Sequence, residues 1–336
     1  MIFQTKQLII RKAETSDVEM YLSLWNSGKV MRKVGFPKGL GISAESVRKQ
    51  IEDHDDTEFN QTLVVVEKES GERIGECKLG LPNEDGISAT DIKLLPEYWG
   101  KGYGKEIKNA LCKYLFSHTN CKIIEASPNI NNAASQKMQE VVGGKEIRRG
   151  TYHFPPKMQH FTEDVHLIIY HIHKKDWLEK NIKIKKIKKK AERSRICKEI
   201  IESLPNWFGL ESANKEYIER SAETDFYTAY MFGKEVGFFS IISHFPQTSE
   251  IYVCGILSEY HRLGIGRKLL QNIEDDLKKK KVKFLTVKTL SASHPDKGYA
   301  KTRMFYEAVG FIPLEEFKEL WSKEHPCLFL VKELQK

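Results

Sequence analysis

Two short glycine-spaced segments hold the residues best suited to chemistry. One is Glu97-Tyr98-Trp99-Gly100-Lys101-Gly102-Tyr103-Gly104-Lys105; the other is Glu259-Tyr260-His261-Arg262-Leu263-Gly264-Ile265-Gly266-Arg267-Lys268. Each follows an apolar, strand-like run and opens an amphipathic, helix-like one. A strand, a glycine turn and a helix N-terminus make an anion site. The first-turn N–H groups have no acceptor within the helix and point outward, and the helix dipole favours negative charge there. The copies stand about 160 residues apart, one domain's worth of chain, so they imply two domains that each hold a phosphorylated cofactor.

The elements that must position these turns repeat in order. In the first half, Leu8–Arg11 reads as a strand, Thr15-Ser16-Asp17 as a helix cap, and 63–67 and 73–79 as strands around Gly71. Residues 91–95 enter the glycine turn, and Tyr103, Ile107, Leu111 and Leu115 then fall on one helical face. A strand at 122–126, a helix over 133–142 stopped by Gly143-Gly144, and a strand at 165–170 complete the unit. The second half shows a helix at 196–204, strands at 228–231 and 236–241, a strand at 250–256 into the turn, and a helix marked by Ile265, Leu269, Ile273 and Leu277. A strand at 284–288, a helix over 302–309 and a strand at 328–331 close it. The lysine-rich run 182–190 alternates with isoleucine, which suits an edge strand with lysines toward solvent. The expected domains are therefore 1–176 and 182–336, with 177–181 as linker.

The 336 residues suit two domains of ordinary size, and 40% hydrophobic with 30% charged residues suits a soluble globular chain. No apolar run is long enough to cross a membrane and Met1–Thr5 shows no signal-peptide pattern, so a cytoplasmic protein is expected, with no membrane partner. Cys77, Cys112, Cys121, Cys197, Cys254 and Cys327 form no C-x-x-C pair and no zinc-spaced cluster, so reduced, packed thiols and no metal are expected. The net charge of +8 suits an anionic cofactor as well as nucleic acid, but no nucleic-acid motif accompanies it and no such partner is expected. Dinucleotide folds need their glycines soon after a first strand; here they come late, after a strand meander.

Late glycines between a central strand and a helix resemble the GCN5-related N-acetyltransferase (GNAT) superfamily, whose Q/R-x-x-G-x-G/A turn binds the pyrophosphate of acetyl-CoA. The first half resembles the Rim ribosomal-protein alanine acetyltransferase branch at Thr5–Arg11, Pro96–Tyr103 and Asn132-Ala133-Ala134-Ser135. The second resembles the general small-molecule branch at Phe305-Tyr306-Glu307-Ala308-Val309-Gly310-Phe311. The resemblance implies an α/β (α+β) fold of two tandem domains, each a mixed, mostly antiparallel, splayed sheet flanked by helices. It implies acetyl-CoA as cosubstrate and direct attack by an amine, either a small molecule or a protein N-terminus.

Carried over residue by residue, the resemblance implies CoA contacts at the strand ends Leu94, Cys254 and Ile256. It implies others at the turns Gly100, Lys101, Gly102, Tyr103, Gly104 and Lys105, and Arg262, Leu263, Gly264, Ile265, Gly266, Arg267 and Lys268. Asn132, Ser135 and Thr302 would lie along the pantetheine arm. Glu250 stands where relatives place a catalytic glutamate, and Tyr306 where they place a tyrosine that protonates the departing thiolate. A base and an acid of these types suit aminolysis of a thioester. Glu250 also reads as a solvated strand-end carboxylate, and Tyr306 as a core aromatic. The first half has Ser88 at the glutamate position and Ser135 at the tyrosine position, which makes the second half the expected seat of chemistry, with a Rim-like first half or a non-catalytic acyl-CoA-binding module as alternatives. Glu76 and Asp91 are nearby carboxylates, read as structural or solvent-facing. Trp99 and His261 replace the usual Gln or Arg of the signature, and Tyr299 an asparagine. Trp207 and Phe208 are expected either in an acceptor wall or in the core.

Overall fold

The computed structural model describes residues 1–334 and forms two units, divided between Lys180 and Asn181. The first unit runs β1 (Phe3–Gln4), β2 (Leu8–Lys12), α1 (Val18–Trp25), α2 (Gly28–Met31), α3 (Ala44–Glu52), β3 (Thr62–Glu67), β4 (Arg73–Leu79), β5 (Ile87–Leu94), α4 (Tyr103–His118), β6 (Ile123–Ala126), α5 (Ala133–Val141), β7 (Lys145–Tyr152), β8 (Val165–His173) and α6 (Lys174–Asn181). Its sheet has the order β1-β2-β3-β4-β5-β6-β8-β7. Every neighbouring pair is antiparallel except β5–β6. Val18, Tyr21, Leu24 and Trp25 of α1 form one buried cluster with Val47 and Ile51 of α3 and Val64 of β3. Each such side chain contributes about 1.5–3 kcal/mol of burial free energy. Ile107, Leu111 and Leu115 of α4 are fully buried, the face their spacing predicts.

Two local expectations change. Asp17 makes no capping bond to α1. It is fully buried, and its carboxylate accepts from Arg11 Nη1 (2.7 Å), Arg73 Nε (2.5 Å) and the Glu14 N–H (2.8 Å). Burial opposes ionisation here, but these donors outweigh it and hold the carboxyl below its ordinary value. Residues 177–181, expected as linker, lie in α6. Trp177 is fully buried there, 5.5 Å from the Phe116 ring, and donates to Asn109 Oδ1 at 3.1 Å.

The second unit runs β9 (Ile182–Ile187), α7 (Lys190–Glu202), α8 (Glu211–Ser221), β10 (Asp225–Met231), β11 (Lys234–Phe245), β12 (Thr248–Ile256), α9 (Ile265–Lys279), β13 (Phe284–Leu290), α10 (Lys297–Ala308), β14 (Ile312–Ser322) and β15 (His325–Glu333). Its sheet order is β14-β15-β13-β12-β11-β10-β9, antiparallel except for β12–β13. The lysine-rich β9 is an edge strand, and exposed Lys183, Lys185 and Lys186 discourage pairing with another chain. The strand stops at Ile187 rather than Lys190, where α7 begins. Helix α10 starts five residues earlier than its apolar spacing suggests, because Asp296 caps it by accepting from the Tyr299 N–H at 2.8 Å. Neither β7 nor β14 carries a strand signal in the sequence. Both are outer strands exposed along nearly all their length, so they show no apolar alternation.

No helix among the described residues is long and apolar enough to cross a membrane. All six cysteines are free, and among the described residues no group of three or more His, Cys, Asp or Glu could hold a metal ion.

Candidate functional site

Each sheet opens into a fork at its single parallel pair. Strand β5 meets β6 only at Ile87↔Ile123, Ser88↔Ile124 and Ala89↔Glu125, then continues to Leu94 paired with β4 alone. Strand β12 meets β13 from Thr248↔Phe284 to Ile251↔Val287, then continues to Ile256 paired with β11 alone. Along 90–94 and 252–256 one edge of the strand therefore has no strand partner, and its backbone groups suit an extended, amide-bearing ligand. Leu94, Cys254 and Ile256 all lie on these stretches.

The glycine turns follow directly. Gly102 (φ +86°) and Gly264 (φ +87°) take the left-handed conformation at the N-caps of α4 and α9. A Cβ at Gly100 or Gly102 would meet nothing within 4 Å, so the first turn faces open space. Arg262 takes the place of Gly100 and accepts the same left-handed backbone, φ +59°. Gly266 is different: a Cβ there would meet Phe305 at 3.1 Å and Ile256 at 3.2 Å, so this glycine serves helix–strand packing. The side chains of Tyr103, Leu263 and Ile265 are buried, which leaves backbone N–H groups as their contribution to an anion site. Tyr103 donates its hydroxyl to Glu67. Of the basic side chains, Lys101 lies over the Tyr98 ring at 4.6 Å and Arg267 donates to the Ala308 carbonyl at 3.2 Å; Lys105 is exposed.

The two departures from the signature have a shared role. Trp99 donates its indole N–H to the Leu94 carbonyl at 2.8 Å, and His261 bonds the Ile256 carbonyl through Nε2 at 2.7 Å. Each residue reaches back five positions and ties its turn to the end of the strand. His261 also stands edge-on to Trp207, ring centroids 5.6 Å apart. Trp207 is half-buried, with its carbonyl accepting from Tyr299 Oη at 3.0 Å. Phe208, Tyr217 and Tyr252 continue an aromatic row that ends on the unpaired stretch of β12.

The residues for the thiol end separate the units. Tyr306 is 3% exposed, and its hydroxyl lies 3.3 Å from Cys254 Sγ on the unpaired part of β12. Burial first, and then the neighbouring Cys254, push the phenol well above its ordinary value, so it keeps a proton to give. Burial likewise pushes the Cys254 thiol up to about 11.

In the first unit the position opposite Tyr306 belongs to Gln139, not Ser135. The Gly143 N–H bonds the Glu140 carbonyl as Gly310 bonds Glu307, and Gly144 bonds Gln139 as Phe311 bonds Tyr306. Counting back four from each helix-stopping glycine would have found it. Gln139 is buried, and its Oε1 has no hydrogen-bond partner. Ser135 is thereby the counterpart of Thr302, whose hydroxyl faces the Gly298 carbonyl at 3.4 Å. Asn132 caps α5, accepting from the Ser135 N–H at 3.2 Å.

Glu250 is not a solvated strand-end group. Its side chain is 8% exposed, with Lys288 Nζ at 2.8 Å from Oε1 and His244 Nε2 at 2.6 Å from Oε2. Its first-unit counterpart Ser88 is buried and donates to the Gly80 carbonyl at 2.7 Å. Glu76 is buried between Trp25 Nε1 and Lys93 Nζ, each 3.0 Å away, and burial raises its carboxyl above the ordinary value. Asp91 pairs with the same lysine.

The forks and the left-handed turns at the N-termini of α4 and α9, open at Gly100 and Gly102, fit the arm and pyrophosphate of CoA. Two family models, both described as Acetyltransferase (GNAT) domain, match residues 7–145 and 222–313. An uncharacterized N-acetyltransferase, p20, of Bacillus licheniformis is 28% identical over 137 residues, 40% of this chain and 76% of that protein. Among solved structures, spermidine N-acetyltransferase from Vibrio cholerae in complex with CoA and spermine is 20% identical, with a TM-score of 0.44, over 51% of this chain and 98% of that one. A GNAT-family acetyltransferase from Bacillus anthracis is 20% identical, with a TM-score of 0.42, over 51% and 96%. With the two matched segments together taking in more than half of its length, the chain belongs to the GNAT acetyltransferases, and it is an acyltransferase with two GNAT domains in tandem.

Proposed function

We propose that the second unit carries the transfer of acetyl from acetyl-CoA to an amine, with Tyr306 giving the proton to the departing thiolate and Glu250 serving the base side. The cosubstrate supplies an activated acetyl thioester. Residues 252–256 would hold its amide-bearing arm, and the N-terminus of α9 its pyrophosphate. The main support is Tyr306: a buried phenol that retains its proton, 3.3 Å from a side chain on the unpaired strand edge. No such pair of groups stands in the first unit, where Ser88 and Gln139 hold the corresponding positions.

The acceptor is a small amine or a protein N-terminus. The first unit we read as a Rim-like CoA-binding domain without its own acid and base. The test is turnover of the full chain with labelled acetyl-CoA and a panel of a polyamine, an amino sugar, an amino acid and an alanine-led peptide, with products identified by mass spectrometry. Loss of turnover in Tyr306→Phe supports the reading. Full turnover in that variant moves the chemistry elsewhere.

A further inference from the structure

We propose that His244 takes the proton from the acceptor amine and that Glu250 is the residue that positions it. This rests on the reading that the second unit performs the transfer. Glu250 is poorly disposed to take the proton itself. One oxygen is held by the Lys288 ammonium at 2.8 Å and the other by His244 Nε2 at 2.6 Å, and the side chain is 8% exposed. With both oxygens engaged by N–H donors and the side chain buried, the carboxylate presents no free oxygen to an incoming amine.

His244 has the opposite disposition. Its side chain is 38% exposed, and among the described residues Nδ1 has no hydrogen-bond partner. With Nε2–H donated to Glu250, the lone pair resides on Nδ1, on the other side of the ring. A buried carboxylate that fixes a histidine tautomer and steadies the imidazolium is the arrangement that makes imidazole an effective base. Lys288 holds the other carboxylate oxygen and so fixes the orientation of Glu250 toward the ring. The three residues come from adjacent strands, β11, β12 and β13. Glu250 is the residue immediately before the final parallel pair Ile251↔Val287, and Lys288 is the first residue beyond it. The cluster therefore sits at the apex of the fork.

The protons balance as follows. One ammonium proton passes to Nδ1 of His244 and on to solvent. The amine lone pair bonds the thioester carbonyl carbon. The C–S bond breaks with its electron pair on sulfur, which takes the phenolic proton of Tyr306. The second nitrogen proton passes to water as the amide forms, and water returns one to Tyr306.

The experiment uses the full chain, acetyl-CoA and the best acceptor from the panel above. His244→Gln should lower kcat about tenfold to hundredfold while the KM for acetyl-CoA stays within about twofold. Imidazole in the buffer should restore part of the rate to His244→Ala and none to Tyr306→Phe. Nitrogen NMR of the wild-type ring should show Nε2–H, independent of any variant. Wild-type rates in His244→Gln with a slow Tyr306→Phe would overturn the His244 assignment alone, and so would an Nδ1–H tautomer. Wild-type rates in both variants, or no acceptor turned over by the wild type, would remove the underlying reading as well.

Discussion

At the residue scale, one buried tyrosine bears most of the weight. Tyr306 lies between Phe305 and Phe311, both at 5.4 Å, and its hydroxyl has Cys254 as neighbour. Removing only the hydroxyl keeps the packing. Tyr306→Phe should therefore leave CoA affinity unchanged and slow kcat about tenfold to hundredfold, the range of a single acid–base group. Steady-state kinetics with calorimetric CoA binding checks this. A changed affinity with an unchanged kcat would make the hydroxyl a binding contact instead.

At the scale of elements, the strand–turn junctions matter most. Trp99 and His261 bond the carbonyls of Leu94 and Ile256, the last residues of β5 and β12. A net hydrogen bond is worth about 0.5–1.5 kcal/mol, so His261→Ala should weaken CoA binding at the second turn about twofold to tenfold. Calorimetry on that variant is the measurement, and an affinity equal to wild type would show that the turn holds its shape unaided. The junction of β2, α1 and β4 makes a different prediction. Asp17 has a folded-state pKa below its unfolded one, so its contribution is present above about pH 4 and is lost as pH falls through the folded value. Asp17→Asn should cost about 3 kcal/mol at neutral pH by leaving Arg11 and Arg73 without their buried partner. The gap from wild type in urea unfolding should narrow at pH 3; an equal gap at both pH values would mean that charge is not the cause.

At the scale of the whole molecule, the two units share an architecture and differ in their reactive groups. Both have a fork, a left-handed glycine cap and a back-bonded turn; only the second has Glu250 and Tyr306. Two CoA molecules should bind per chain, with acetylation depending on one of them. Gly102→Val should reduce the calorimetric stoichiometry from two to one and leave acetylation intact, because a β-branched residue both disfavours φ +86° and projects into the space left for phosphate. Gly264→Val should remove the other site and the activity with it. A stoichiometry of one in the wild type would rule out a second CoA site.

The sequence by itself determined what is local. A glycine turn, the strand before it and the helix after it are contiguous, so Gly102 and Gly264 and the faces of α4 and α9 are legible from spacing alone. The order of elements, present in two copies, carried the division into two domains, and the family resemblance of the motifs carried the fold class. Edge strands such as β7 and β14 left no trace, because a strand exposed on both faces imposes no alternation. Tertiary structure alone decided the partners of Glu250, since His244 lies 6 positions away across a strand turn and Lys288 lies 38 positions away. Strand register brings them together, and register is a property of the assembled sheet. The same holds for Asp17, which the sequence offers as a cap and the sheet makes an ion-pair centre with Arg73, 56 positions away. It holds also for the imidazole at His261, committed to the turn by a backbone carbonyl that only the folded loop presents.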